Sequence, residues 1–484
     1  PGFRRYQRAG RSLSGMAQSM NLANAQRPET AEGLVNSWYQ QLEAHQANCE
    51  ASVLDESRQH ALAELAEAGR LPGRKDEHWK YFSLQSLEAL QPELNPPSRQ
   101  DGTEVLPVLV PDASACRLAQ RLGNCFASPA GLRDCLPAGV RLLELQEALA
   151  DEGLSAVIAE ILADEQLKGP GRVFQALNTA ALGTALDNTL VIHVAKDADA
   201  GRIQLEWLPP EDHSDAAFWL DNCRLFIIQE AGSRLQLLET FSTRDNDGPS
   251  ASLLNQVTQV RLAGQAVFDH LRVQLSASTQ HLFQFSEVQQ HEGSEYRYTG
   301  FELGGGLVRN ELVSKLNGAN ASADLAAAFI GNGESIIDHH LVVDHQAPKC
   351  RSEQNFRGVL GGRSKGVFNG KALIRPGADG SSVRQSNANL LLSDLAEMNT
   401  KPELEIYADE VEASHGATVG QLDEQALFYL QTRGLAEEDA RRILTGAFCR
   451  AIGARLSDRK LVEQIEALLD AAMPGIEPSN EVAA

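Results

Sequence analysis

A long series of short alternating segments between residues 189 and 408 constrains the fold of this 484-residue chain more than any other feature. Segments such as LVIHVA, RLQLLETF, LRVQLSA and HLFQFSEV place apolar residues at every second position, and Gly, Asn, Asp or Ser separates most of them. A period of two is the pattern of β-strands. No helical pattern of about ten residues lies between the segments, which argues against a fold of alternating strands and helices. The sequence therefore predicts a long all-β region, arranged as a sandwich, a barrel or a solenoid.

Helical patterns lie on both sides of this β region. Residues 29–90 repeat apolar side chains at three- and four-residue spacing. Three amphipathic helices are predicted near the C-terminus, over residues 423–433, over 437–456 and after Ser457, which we expect to be the N-cap of the third. The predicted parts are an extension (1–20), an N-terminal helical region with a proline-rich linker at 91–140 (21–170), a β core (171–420), a C-terminal helical region (421–475) and a flexible tail (476–484).

Composition narrows the classes of function. The chain carries 65 acidic and 43 basic side chains, and its formal charge of -22 repels the phosphates of nucleic acids. No segment approaches the roughly 18 apolar residues that cross a bilayer, and the basic N-terminus lacks the apolar part of a secretory signal. Seven scattered cysteines form no C-x-x-C pair, which indicates reduced thiols. We therefore expect a cytoplasmic protein that binds neither nucleic acid nor membrane.

The densest group of candidate metal ligands comprises Asp338, His339, His340, Asp344 and His345. On an extended strand, His339 and His345 share one face, whereas His340 and Asp344 share the other. One strand therefore cannot present all of these side chains to a single metal ion. Histidines on the surface of a β-ladder are the alternative interpretation.

Cys350 and His415 are isolated candidates. Cys350 lies between Lys349 and Arg351, whose charges could lower the pKa of the thiol and make it nucleophilic. The alternative is that Cys350 is a small apolar filler. His415 lies in a predicted small-residue loop between a strand and a helix, where a histidine serves either as a structural hydrogen-bonding group or as a ligand.

The sequence lacks the common motifs of nucleotide and hydrolase chemistry. The glycine and lysine residues within 366–372 have the wrong spacing for a P-loop, and the glycines at 304–306 precede no helix of the Rossmann type. No G-x-S-x-G motif is present. We therefore predict that this chain does not hydrolyse ATP.

Three stretches resemble the SufB/SufD family of iron–sulfur cluster assembly scaffolds. The first is residues 391–430, which include ASHGATVG at 413–420. The second is RKDEHWKYF, beginning at Arg74, which is similar to an R-x-D-E-x-W-K-Y-T element of the family. The third begins at Cys350 and follows C-x-S-x-Q-x-x-x-G-V-L. Glycine at position 416 resembles the SufD branch, because SufB proteins tend to have H-E-A-T there.

The resemblance implies a right-handed parallel β-helix core flanked by N-terminal and C-terminal helical regions. It also implies a non-catalytic scaffold subunit that pairs with SufB through the β-helices and binds the SufC ATPase through its C-terminal helices. An iron–sulfur cluster would be held transiently and shared with SufB, with or without a flavin in the complex. No cofactor would be bound tightly by this chain alone, and without partners the chain could form a homodimer.

The resemblance makes His415 the first candidate for a cluster or iron ligand at the SufB interface, and Cys350 a second metal-binding candidate. Many relatives have a cysteine where this chain has Ala413. A methyl group neither ligates iron nor carries a persulfide, so His415 would depend on ligands from the partner.

The alternative class is a secreted-type β-helix enzyme that acts on carbohydrates. Such enzymes use exposed aromatic residues to stack on sugars, whereas only 6% of this chain is aromatic. We expect the seven cysteines to be unpaired, and we find no signal peptide in the sequence. We therefore favour the scaffold.

Overall fold

The computed structural model describes residues 32–47, 49, 52–94, 110, 116–121, 136–167, 170–208, 218–242 and 252–474. Within these ranges the chain is a parallel β-solenoid with helices at both ends. The predicted mostly β fold with flanking helices is confirmed, and of the three arrangements left open the solenoid is the correct one. The predicted extension (1–20) and tail (476–484) lie outside the described residues, as does most of the proline-rich linker.

The N-terminal region is mostly helical, and two short strands interrupt its predicted linker. That linker interpretation is wrong for residues 93–94 and 116–121, which hydrogen-bond to the solenoid sheets. The elements are α1 (Glu32–Gln46), α2 (Asp55–Ala68), a 3-10 helix (Glu77–Trp79), α3 (Gln85–Leu90), β1 (Glu93–Leu94), β2 (Cys116–Arg121), β3 (Val140–Glu144), α4 (Leu145–Leu149), α5 (Glu152–Ala163), a second 3-10 helix (Pro170–Arg172) and α6 (Val173–Ala181).

Two sheets form the solenoid, and successive strands alternate between them. The even sheet contains β4 (Thr189–Val194), β6 (Trp219–Gln229), β8 (Ser252–Leu262), β10 (Gln280–Gln290), β12 (Leu307–Leu316), β14 (Ile336–His345), β16 (Lys365–Ile374) and β18 (Glu397–Ile406). The odd sheet contains β5 (Asp199–Leu208), β7 (Arg234–Ser242), β9 (Val267–Ser276), β11 (Glu295–Gly304), β13 (Ser322–Gly331), β15 (Arg351–Leu360), β17 (Ser382–Leu391) and β19 (Glu412–Gly420). These strands pair in parallel with the next member of the same sheet, whereas β3 is antiparallel to β4.

The parallel register stacks equivalent residues in columns along the solenoid. Leu325 of β13, for example, stands beside Gln354 of β15, which stands beside Gln385 of β17. Alternate residues of each strand point inward, where Leu325, Phe356 and Phe368 belong to a continuous apolar core with no exposed surface. The core is therefore enclosed between the two sheets, and each coil is covered by the next.

The C-terminal region consists of α7 (Glu424–Thr432), α8 (Glu437–Gly453) and α9 (Arg459–Ala472). Helices α8 and α9 bury Ile452 and Leu469 against the outer face of the odd sheet. The N-cap of α9 is Asp458, so the expected Ser457 cap is wrong by one residue. The Asp458 carboxylate accepts hydrogen bonds from the backbone N–H groups of Lys460 and Leu461, at 3.0 and 3.2 Å. None of the helices in the described ranges has the length and apolar character needed to cross a membrane.

One cysteine departs from the expectation of reduced thiols. Among the described cysteines, Cys49, Cys223, Cys350 and Cys449 are free. Cys116 is disulfide-bonded. The expectation is therefore wrong for Cys116.

Candidate functional site

His415 lies in β19, the final strand of the odd sheet, and not in a loop as the sequence indicated. Its register partner is the buried Gln385 of β17, so the His415 side chain lies on the inward-facing side of the last coil. Every residue of β19 is exposed, because no further coil covers this strand in the described part of the chain. A loop was expected because Gly416 and Ala417 have weak strand propensity, but pairing with β17 holds them in a strand.

The last coil leaves an uncovered strand in both sheets. Strands β18 and β19 end their sheets, and each pairs with only one other strand within the described residues. Large apolar side chains are exposed here: Leu395 (59%), Ile406 (43%), Tyr407 (62%) and Val419 (45%). We call this surface the open end, meaning β18, β19, Tyr407 and the turn that contains Leu395. An uncovered strand edge with exposed apolar side chains is a surface on which another chain can pair.

Amide side chains line the interior of the solenoid beneath His415. Gln385 donates from Nε2 to a backbone carbonyl at 3.2 Å, and its Oε1 has no partner among the described residues. Asn389 donates to the Thr418 carbonyl at 3.1 Å and to Asn387 Oδ1 at 2.7 Å. The hydrogen bond from Asn389 joins the last coil to the preceding one, and His415 supplies an imidazole that can ligate a metal ion.

Ala413 occupies the same inward face of β19, two residues before His415 and opposite Val383 of β17. Its methyl group contributes no donor atom. A metal site at His415 would therefore take its further side-chain ligands from outside this strand.

Cys350 is fully buried at the corner that precedes β15. Its thiol donates to the carbonyl of Gly318 at 3.3 Å. Burial raises the pKa of the Cys350 thiol, which is the opposite of the lowering expected from Lys349 and Arg351, whose side chains are exposed. Strand β15 is two strand spacings, or about 10 Å, from β19. Cys350 and His415 are therefore not brought together into one site.

The histidines of β14 divide between the two faces, as predicted. His339 and His345 are buried inside the solenoid, and burial lowers the pKa of each to about 4. The Nε2 of His345 hydrogen-bonds Ser352 Oγ at 2.8 Å. His340 lies on the outer face, with its ring centroid 5.9 Å from that of His78. In the described ranges, no group of three or more His, Cys, Asp or Glu side chains is arranged to hold a metal ion.

The RKDEHWKYF element fastens the N-terminal region to the solenoid. Trp79 is buried, and the Arg309 guanidinium of β12 lies 3.9 Å from the centroid of the Trp79 ring. Arg309 also donates to Glu311 Oε1 at 2.6 Å and forms a buried ion pair with Asp338. The nearby Tyr81 is 42% exposed. Sequence reasoning missed Arg309, because an arginine within a strand belongs to no recognisable motif.

The C-terminal helices leave an apolar surface uncovered. Phe428 and Tyr429 of α7 are 67% and 56% exposed, and Ile443 of α8 is 42% exposed. Helices α8 and α9 pack on the odd sheet, but these three side chains stay in solvent. Together they form a second candidate surface for another protein.

Comparison with known proteins places these features in a family. Residues 215–448 match the family model described as the SufBD core domain of the SUF system of iron–sulfur cluster assembly. This match includes Cys350, His415 and the open end.

Individual relatives agree with the family model. An iron–sulfur cluster assembly SufBD family protein of Synechocystis is 28% identical over 408 residues, which cover 83% of this chain and 87% of that protein. The iron–sulfur cluster assembly protein SufD of Escherichia coli is 31% identical over 216 residues, covering 45% of this chain and 51% of that protein. The chloroplastic protein ABCI7 of Arabidopsis thaliana is 27% identical over 402 residues, 81% of each chain. The match with Escherichia coli SufD thus spans about half of that protein.

We expect His345→Gln to make the protein less sensitive to acid. The pKa of His345 is about 4 in the folded chain and about 6.5 when exposed, so the unfolded chain binds the proton first as the pH falls. The free energy of unfolding therefore falls as the pH drops from about 6.5 to about 4. At pH 5, His345 alone lowers it by about 2 kcal/mol relative to neutral pH. Urea unfolding measures the free energy of unfolding near pH 7 and near pH 5. The drop between the two should be about 2 kcal/mol smaller in the variant than in the unaltered chain.

His60→Gln, on an exposed face of α2, is the matched control and should lose as much stability as the unaltered chain. Equal pH dependence in His345→Gln and the unaltered chain would show that His345 is not buried in its neutral form.

Proposed function

The chain belongs to the SufBD family of the SUF iron–sulfur cluster assembly system, and from this premise we propose that it is a SufD-type scaffold subunit. It would pair with a SufB-type paralogue through the solenoids and bind SufC-type ATPase subunits through its C-terminal helices. The nascent cluster would be cargo at the interface with SufB, and hydrolysis of ATP would take place in SufC. We place this assembly in the cytoplasm.

The open end is the observation that carries this proposal. Within the described part of the chain, β18 and β19 each have one edge that no further strand pairs with, beside the exposed side chains of Tyr407 and Val419. A paralogue whose own solenoid ended in the same way could continue both sheets and bury these side chains. A second copy of this chain offers a similar surface, so a homodimer is the competing assembly.

The position of His415 fits a ligand shared between two subunits. Its inward-facing side chain would lie at the junction of two solenoids joined at their open ends. Imidazole is a suitable ligand for iron, and Ala413 leaves room for ligands from the partner. On this proposal, His415 supplies one ligand and the SufB-type subunit supplies the others.

The exposed side chains of α7 and α8 support the contact with the ATPase. Phe428 and Tyr429 are large, apolar in their rings and more than half exposed. Aromatic residues of this kind contribute strongly to protein interfaces. These side chains lie on α7 and α8 and not on β18 or β19, so on this proposal the two partners contact different elements.

We expect Val419→Arg to abolish pairing with SufB while leaving SufC binding intact. A charged side chain on the inward face of the last coil would be buried without a partner in a continuous solenoid. Light scattering after size exclusion of the co-expressed subunits should give one SufB, one copy of this chain and two SufC. The variant should lose SufB from that complex.

Ser414→Arg is the matched control, because Ser414 lies on the outward face of the same strand and is equally exposed. Failure of the unaltered chain to bind SufB, or a homodimer that excludes SufB, would overturn the proposed pairing.

We expect His415→Ala to leave folding and assembly unchanged and to reduce cluster formation. The His415 side chain is exposed, so its loss removes a ligand and little packing. The measurement is the yield of reconstituted cluster, by iron and sulfide content and visible absorption, in complexes with unaltered partners. Ser414→Ala serves as the control, and an unchanged yield in His415→Ala would remove His415 from the site.

Phe428→Asp should weaken binding of SufC by about 2 kcal/mol or more, the loss typical of an interface anchor. Phe428 is 67% exposed, so the substitution should not disturb the fold. Titration calorimetry of the isolated chain with SufC measures the effect. Arg459→Ala on α9, whose side chain is 92% exposed, is the control. Equal affinity in both variants would move the ATPase contact away from α7.

A further inference from the structure

The interior of the solenoid holds a carboxylate that pairs with no lysine or arginine of the described residues. Glu302 of β11 is 1% exposed. Its Oε1 accepts hydrogen bonds from the Tyr298 hydroxyl at 3.3 Å and from Asn310 Nδ2 at 3.4 Å. Its Oε2 has no hydrogen-bond partner in the described part of the chain. The other interior carboxylate nearby, Glu239, is paired with Arg272.

Two more unpartnered atoms belong to the side chains around Glu302. The Nε2 of His339 lies 3.6 Å from Glu302 Oε2, which is too far for a hydrogen bond, and it has no other partner among the described residues. Asn310 stands directly opposite His339 in the parallel register of β12 and β14, and its Oδ1 is likewise unpartnered. His339 is 1% exposed and Asn310 is 5% exposed. Buried polar atoms without partners destabilise a fold unless something satisfies them.

The distance between His339 Nε2 and Glu302 Oε2 suits two ligands of one metal ion. Two ligands of one ion lie about 3.3 to 3.8 Å apart when their bonds are about 2.0 to 2.2 Å long and the angle between them is about 109 to 120°. The 3.6 Å between His339 Nε2 and Glu302 Oε2 falls in this range. An imidazole nitrogen among oxygen donors favours Zn²⁺, Fe²⁺ or Co²⁺ over Mg²⁺ and Ca²⁺. We propose that Glu302 Oε2, His339 Nε2 and Asn310 Oδ1 bind one divalent first-row transition-metal ion inside the solenoid, with water completing its coordination.

The surroundings support a site that is built rather than accidental. The hydrogen bonds from Tyr298 and Asn310 occupy one carboxylate oxygen of Glu302 and leave the other free. Gly300 keeps space beside them, because a Cβ there would lie 2.7 Å from Tyr298 Oη and 2.8 Å from Glu302 Oε1. Such second contacts orient a ligating carboxylate.

Aromatic rings close the site toward the open end. The ring centroids of Phe329 and Phe356 lie 5.1 and 5.2 Å from that of His339. The ion would therefore enter before the coils close over it. The site uses neither His415 nor any residue of the last coil, so it stands or falls independently of the pairing with SufB.

The test is the metal content of the isolated full chain. The chain is expressed in medium supplemented with CoCl₂ or ZnCl₂, purified without chelator, and its metal is counted by mass spectrometry. We expect close to one ion per chain and, with cobalt, visible d–d absorption. Glu302→Gln and His339→Gln should each lower the metal content about tenfold or more.

His345→Gln is the matched control, since it removes another buried interior histidine and should keep the ion. Circular dichroism checks that each variant is folded, and Asn310→Ser gives a further comparison if one of them is not. An unaltered chain without metal would overturn the proposal, as would an ion that stays in both folded variants.

Discussion

In a parallel solenoid, the side chains and backbone groups of each coil are covered only when the next coil packs on it. The rest of this structure depends on that constraint. The inward-facing side chains of one strand lie against those of the next, and its backbone groups hydrogen-bond to the next. At the beginning of the solenoid, β1, β2, β3 and the N-terminal helices supply what the first coils lack. At the other end, no strand or helix of the described residues covers β18 and β19 in this way.

Buried charges join the N-terminal region to the solenoid. Arg224 of β6 donates to Asn178 Oδ1 at 2.8 Å and to Thr179 Oγ1 at 2.6 Å, both on α6. Arg309 makes a similar connection through the ring of Trp79. These arginines are 1% and 2% exposed, so losing the N-terminal region would deprive two buried guanidinium groups of hydrogen-bond and ring contacts that water does not replace. The helices are therefore part of the folded unit and not an appendage to it.

Local sequence patterns predicted most of the strands and helices. The features that they did not predict depend on contacts between residues far apart in sequence. Alternation identified the strands and separated His339 from His340, because the direction of a side chain depends only on its position along a strand. Alternation could not identify the solenoid, because its interior holds Phe356 as well as Gln354 and Gln385. The sequence therefore shows no simple repeat. The contact between Trp79 and Arg309 joins residues far apart in sequence, and no local pattern can report it. The strand at His415 was taken for a loop because its small residues are stable as a strand only where β17 lies beside them.

The order of the coils along the chain also sets an order in time. A ribosome releases the N-terminal region first, and a solenoid can add coils to those already formed as each leaves the exit tunnel. The open end is the last part of the solenoid to be synthesised, after every buried arginine and interior histidine is already in place. An unfinished chain would present a different strand at its growing edge and no β19 at all. The surface that contains His415 therefore marks a chain whose synthesis has passed the whole of the solenoid, and any partner that recognises it selects against truncated copies.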